Sequence, residues 1–261
     1  KSYLKNNADD KYFSWPSAGI QIKDTIYVYC NSLMNANGAE GFGFASSGND
    51  YFAKIKFPEM NVVGYISLQN FNGIGFGIGF IKDDANEFVY VYGQKLIYTQ
   101  NSLYVARFSV NDPNCNWEFW NGKLWSKNVN EIMPVAKQFG VEGTFQVSKI
   151  KNKIVLTSSA LSVGCDQGKN IYTAVSNNIT GPFSEKKTAY IIDDTLQGHY
   201  PFFYAAIVHS EFINDKDEVL MTYAINGYGK CVETCINNRF NPDYYRLKAV
   251  RIPAGFILNE K

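Results

Sequence analysis

The chain has 261 residues, a formal charge of +1, and 46% hydrophobic against 19% charged residues, a balance that buries a sizeable core and excludes a disordered chain. A charge so close to zero sets up no long-range field for phosphate, which excludes nucleic-acid binding driven by backbone charge. No run approaches the roughly 20 apolar residues of a membrane-spanning helix, so no membrane insertion is expected.

The first ten residues are polar and lack the apolar centre of a signal peptide. They carry Asp9 and Asp10 just ahead of the first strand-like run. Residues 19–29 then read as a hairpin: two alternating runs joined by Lys23-Asp24. Strand-like runs follow at 51–57 and 62–68. A second hairpin spans 77–92, turning through 82–87, and is followed by strands at 103–109 and 117–120. Asn121-Gly122 is a strong turn signal before Lys123-Leu124-Trp125. A short helical turn is predicted over 131–139, interrupted by Pro134.

The third hairpin covers 145–157, with its turn at 151–153, and a strand at 171–175 follows. The fourth covers 204–223, with its turn at 214–218, and is followed by 245–252. Tyr27, Tyr90, Val155 and Leu220 hold matching places on the second strands, at separations of 63, 65 and 65 residues. A period of about 65 with four short strands each predicts an all-β fold, a β-propeller. A β-sandwich has no reason to repeat at that interval. The prediction is one propeller domain over 1–261, with four blades starting near 12, 73, 141 and 201. The 18 Tyr and 19 Phe suit such strands, because flat side chains pack well on a pleated surface.

Cysteine usage leaves several readings open. There are five, of which Cys30 and Cys115 stand alone in sequence. Cys231 and Cys235, in CVETC, either close a small disulfide loop or make half a metal site. His199 and His209 are the only histidines, so no second pair completes a tetrahedral zinc set, and no metal ligands are assigned. Asn178-Ile179-Thr180 is a glycosylation sequon if the chain is secreted. The glycines in 73–79 contain G-x-G but no helix follows, so a dinucleotide site fails on context. They mark a crowded strand where backbones approach closely.

An ordered set of short motifs adds to this. It runs from Trp15-Pro16-x-x-Gly19 and Tyr90-Val-Tyr-Gly93 through Leu103-Tyr-Val-Ala-Arg107, Asp112 and Phe119-Trp-Asn-Gly122-x-x-Trp125. It ends with Gly181-Pro182-Phe183, His209-Ser-Glu211, Leu220-Met-Thr-Tyr223 with Asn226, and Tyr245-Arg246-x-x-x-Val250-Arg251. In this order the motifs resemble five-bladed propeller domains of unknown function, related in fold to furanosidase-type glycoside hydrolases near the endo-D-arabinanases. The resemblance implies a polysaccharide bound, and hydrolysed, at the mouth of a central funnel by paired carboxyl groups. It implies a secreted or cell-surface protein that requires no cofactor, with a structural cation in the central channel as the one group that related propellers would allow. It also implies a five-bladed ring whose further blade lies upstream and carries an acidic residue.

Two departures from the family pattern keep an alternative in view. The chain starts after the place of that upstream acid, and Gly143-Thr144-Phe145 stands where a carboxylate is expected in the third blade. The alternative is a non-catalytic structural or adhesion propeller with an extracellular assembly partner. A third reading is an intracellular interaction scaffold.

The candidate catalytic residues are Asp10, Glu142, His209 and Glu211. Asp10, with Asp9, lies ahead of the first inner strand, although a terminal acidic pair is commonly just solvated. Glu142 is the acid nearest the third inner strand. His209 and Glu211 share strand-face parity as an acid/base pair or as an axial ligand for a channel cation, against the plain reading of a core histidine on a backbone carbonyl. The candidate substrate-binding residues are Trp15, Arg107, Asp166 and Arg246. Trp15 is a sugar-stacking platform, Asp166 lies in a Gly-bounded loop, and the arginines are either clamps or structural ion-pair partners. Trp117, Trp120 and Trp125 surround a turn and read as core. His199, in Gly-His-Tyr-Pro, lines the funnel or has no role.

Overall fold

A computed structural model describes residues 3–4, 11–36, 43–83, 85, 87–97, 100–112, 116–136, 145–161, 164–226, 231–233 and 235–260. They form two compact units, Lys1–Lys95 with Leu103–Pro134, and Leu96–Ser102 with Val135–Lys261. Among the described residues no helix is long and apolar enough to cross a membrane.

The first sheet is antiparallel and holds β1 (Tyr12–Ile22), β2 (Thr25–Asn35), β3 (Phe44–Ser46), β4 (Tyr51–Lys56) and β5 (Asn61–Ser67). Its order is β1-β2-β4-β5, with β3 on β2. The second runs in chain order through β6 (Gly75–Lys82), β7 (Phe88–Ile97), β8 (Gln100–Ser109), β9 (Glu118–Trp120) and β10 (Trp125–Ser126). The third comprises β11 (Gln146–Ile150), β12 (Lys153–Ser159), β13 (Asn170–Ser176) and β14 (Lys187–Ile191). The fourth places β15 (Phe202–His209) beside β16 (Glu218–Asn226). A small ribbon, β17 (Cys235–Ile236) with β18 (Arg239–Phe240), precedes its last strand, β19 (Leu247–Pro253).

The predicted repeat is present as four sheets. Tyr27, Tyr90, Val155 and Leu220 lie on β2, β7, β12 and β16, opposite Ile20, Ile81, Ser148 and His209 of each first strand. The structure adds β3, β14, the β17–β18 ribbon and the helix α1 (Ala254–Leu258), none of which was predicted from sequence. A helical turn was expected over 131–139; residues 137–139 lie outside the described residues, and the described part holds a 3-10 turn at Val129–Glu131, where the Asn128 side chain accepts a hydrogen bond from the Asn130 amide.

In the first unit an aromatic core joins the two sheets. Phe52, Phe71, Phe76, Phe108, Trp117 and Phe119 are all buried, and the Phe71 and Trp117 rings lie 4.8 Å apart. All four tryptophans (Trp15, Trp117, Trp120 and Trp125) belong to this unit. In the second unit Ile150, Val155, Phe203, Val219, Met221 and Ile252 form the core, closed by Ala254, Ile257 and Leu258 of α1.

Three first strands share an irregularity. The register of β1 slips between Pro16 and Gly19, that of β6 between Phe76 and Gly79, and that of β15 between Tyr204 and Ile207. Each slip is a bulge that bends its strand. Gly77 takes φ +90° there, and a Cβ on it would lie 2.6 Å from the Tyr29 ring, so only glycine fits. Ala205 reaches φ +52° at the β15 bulge despite its Cβ. Facing two of these bulges are buried tyrosines whose hydroxyls donate to aspartates, Tyr29 to Asp50 at 2.8 Å and Tyr223 to Asp194. Burial first, and the adjacent carboxylate second, hold both phenols well above their ordinary pKa.

Candidate functional site

In the second unit, strand alternation at the start of β15 turns Phe203 into the core and puts Phe202 and Tyr204 on the opposite face. The Phe202 and Tyr204 rings stack 4.9 Å apart at an angle of 10°, so two flat side chains form one ledge. The bulge at Ala205 follows at once and fixes the direction of Tyr204. Burial raises the Tyr204 phenol above its ordinary pKa; its hydrogen bond with Tyr245 adds to the rise, while one with Asn226 opposes it. Tyr245 itself is 61% exposed and extends the aromatic surface outward.

The loop leading into β15 borders this ledge. Leu196 and His199 exchange backbone hydrogen bonds of 2.8 and 3.0 Å. Between them, Gln197 donates through Nε2 to the Tyr244 hydroxyl at 2.6 Å and accepts from the Glu233 amide at 3.0 Å. A second loop meets it at Asp166. The Asp166 amide donates to the Tyr200 carbonyl at 2.7 Å, and its Oδ1 accepts from the Tyr200 amide at 2.9 Å. Oδ2 lies 3.0 Å from His199 Nδ1. The Tyr200 amide first, then His199, hold the Asp166 carboxyl below its ordinary pKa. Lys169 Nζ lies 4.0 Å from the Tyr200 ring centre, a cation–π contact.

A disulfide fixes the same loop. Cys165 bonds to Cys231, with Cα atoms 6.1 Å apart, while Cys235 is free and exposed. The short Cys231–Cys235 loop left open by the sequence therefore does not form. Cys231 meets a cysteine 66 residues earlier instead, at a Cα separation a disulfide accepts. Among the described residues no group of three or more His, Cys, Asp or Glu could hold a metal ion.

The first unit offers a different surface. Trp15 is 50% exposed on β1, with its ring 4.5 Å from Phe44. Tyr12 and Ser14 point to the other face of β1, where Tyr12, Asp50 and Tyr51 help line a cleft of about 250 Å3. Asp50 accepts there from the Ser32 amide at 3.0 Å as well as from Tyr29. Trp15 thus has the exposure of a platform but lies on the face away from this cleft.

The other sequence candidates are placed as follows. Arg107 donates through Nε to Glu118 at 2.7 Å across β8 and β9, with its guanidinium 4.1 Å from Phe88 and 4.6 Å from Trp125. It is a half-buried structural ion pair within one sheet. His209 ends β15, seven residues and roughly 20 Å of strand away from Phe202. Its Nε2 is 2.8 Å from the Thr222 hydroxyl and its Nδ1 3.4 Å from Glu211, which lies in a 3-10 turn rather than on the strand. Arg246 is exposed just before β19, and its carbonyl accepts from the Ile225 amide at 3.2 Å. Asp9, Asp10, Glu142 and Thr144 lie outside the described residues.

Sequence reasoning missed the ledge itself. Its signal was present, because Phe202-Phe203-Tyr204 carries aromatics at i and i+2, but the strand was read from Tyr204 onward. The sequence pattern starts the last strand at Tyr245, whereas the strand begins at Leu247.

Comparison with solved structures supplies the fold. A Bacteroides ovatus protein provisionally assigned as a hydrolase is 15% identical, with a TM-score of 0.71 over 94% of this chain and 62% of its own. The exo-β-1,3-galactanase of Phanerochaete chrysosporium, crystallised with β-1,3-galactotriose, is 11% identical, with a TM-score of 0.53 over 92% of this chain and 46% of its own. The α-L-arabinofuranosidase of Podospora anserina, in complex with cellotriose, is 12% identical, with a TM-score of 0.50 over 97% of this chain and 96% of its own. The chain thus spans less than two thirds of the first two proteins. At these identities the likeness carries the fold, and the four sheets are blades of a β-propeller. No curated protein sequence matches the chain. Residues 1–254 match the family described as a domain of unknown function, DUF5005, and the chain belongs to that family.

Proposed function

We propose that this chain is a glycoside-hydrolase-like propeller that binds a polysaccharide on the aromatic ledge at the start of β15 and hydrolyses it. The observation that carries this reading is the stacked Phe202–Tyr204 pair with exposed Tyr245. Flat rings suit the C–H faces of sugars, and the Asn226 side chain, bonded to Tyr204, supplies a polar group at their edge. Support comes from neighbours in fold that were crystallised with neutral oligosaccharides. The motif resemblance makes arabinan the first polymer to try and a five-bladed ring the wider architecture. The Cys165–Cys231 disulfide supports placement in an oxidising compartment, at the cell surface or outside it.

The test is titration calorimetry and product analysis with arabinan, other furanose polymers and β-1,3-galactan, for the wild type and Tyr204→Ala. Saturable binding is expected, weakened by about five- to hundredfold in the variant, because an aromatic platform contributes on the order of 1–3 kcal/mol. No binding to any of these polymers would sink the reading. Binding without product release would favour the adhesion alternative, to which the Thr144 departure points.

A further inference from the structure

We propose that His199 is a ligand-contacting residue of this site, its Nε2 accepting a hydrogen bond from a sugar hydroxyl, and that Asp166 positions it; the proposal rests on the carbohydrate reading above and assigns it a polar contact. In the neutral imidazole one nitrogen donates and the other accepts. Nδ1 faces the Asp166 carboxylate at 3.0 Å, and a carboxylate can only accept, so the proton sits on Nδ1 and the lone pair on Nε2. Among the described residues no hydrogen bond to Nε2 forms, and the side chain is 47% exposed. The other histidine is built differently. His209 engages both ring nitrogens with Thr222 and Glu211.

The His199 ring is also held still. Its backbone is bonded twice to Leu196, and its partner Asp166 is bonded twice to Tyr200 and adjoins the Cys165–Cys231 disulfide. The exposed ion pair itself adds little stability, while the disulfide and the backbone bonds stabilise the loop that carries it. The same anchoring preorganises the imidazole, because an acceptor already fixed in place loses little entropy when a ligand arrives. His199 lies three residues before Phe202, and Gln197 of the same loop holds Tyr244 next to Tyr245. The ledge offers a face to sugar C–H groups, and the loop beside it offers an acceptor to sugar O–H groups. Among the described residues, Asp166, Lys169 and Glu233 are charged residues in contact with this loop, and none forms a hydrogen bond with Nε2.

Two histidines make the test clean. Protein labelled with 15N-histidine is titrated with arabinotriose, xylotriose, cellotriose and β-1,3-galactotriose, and the ring nitrogens are followed by long-range 1H–15N correlation. The expected result is a saturable shift of His199 Nε2 with at least one trisaccharide, while His209 stays in place. His199→Phe should weaken binding by about three- to tenfold, the effect of one lost hydrogen bond, and His199→Gln should recover part of that. Asp166→Asn should mix the two tautomers of His199 and weaken binding, and Asp166→Glu should restore both. Binding that Tyr204→Ala abolishes, but that leaves His199 Nε2 unmoved and survives His199→Phe intact, would overturn this inference and leave the carbohydrate reading standing. No binding of any of the four trisaccharides or of arabinan to the wild type would remove both.

Discussion

Gly77 shows how much one backbone position determines. Its φ of +90° and its approach to Tyr29 leave no room for a side chain, and Ser17 donates to its carbonyl at 2.7 Å, joining two bulges. Gly77→Ala combines overpacking with an unfavourable dihedral, so a loss of about 2–4 kcal/mol is expected in urea unfolding. Asp166 makes a second residue-scale prediction. Its carboxyl is held below the ordinary value, so its contribution is fully present above the unfolded pKa near 4 and is lost as pH falls through the lower folded value. Asp166→Asn should therefore lose less stability than the wild type between about pH 5 and pH 2, measured as the change in Tm. Cysteine reactivity follows the same reasoning. Burial pushes the Cys30 thiol up to about 11, while Cys235 is exposed. Iodoacetamide on the native protein should label Cys235 and spare Cys30, as read by peptide mass; labelling of Cys30 at a comparable rate would show that β2 opens.

At the scale of elements, the hairpins were legible because each alternates apolar residues around a polar turn, and their register follows from those turns. The bulges were less so. Gly77 hints at one, but Ser17-Ala18 and Ala205-Ala206 have nothing in their residue types to show that a strand slips there. Parity along β15 put Glu211 on the face of His209, yet the chain leaves the strand at Ser210 and the two meet only at 3.4 Å. The disulfide was illegible for a different reason: loops 66 residues apart meet only once sheets have formed. Its stability effect can be bounded. A closed loop of that length restricts the unfolded chain by about 4 kcal/mol in the entropy model, and real bonds give less. Cys165→Ser with Cys231→Ser should lower stability by roughly 2–4 kcal/mol and loosen the Asp166 loop, visible as faster amide exchange at Tyr200.

For the whole molecule, composition and period were enough to reach an all-β propeller, because a repeat of four strands buries its faces only against its neighbours. The site was not legible at that scale. Trp15 drew attention as a lone exposed ring, whereas the ledge of Phe202, Tyr204 and Tyr245 depends on a bulge and on a loop tied across the fourth sheet. Arg107 is a similar case: an arginine among aromatics reads equally as clamp or brace, and only the Glu118 contact decides for the brace.

The placement of the tryptophans has an optical consequence. With all four indoles in the first unit, red-edge excitation reads that half of the chain alone. The second unit, which holds the ledge and the disulfide, has no tryptophan, so tyrosine is its strongest near-ultraviolet chromophore. A sugar seated on Tyr204 and Tyr245 is therefore to be sought as a tyrosine difference spectrum, and a flat tryptophan titration curve says nothing about whether it has bound.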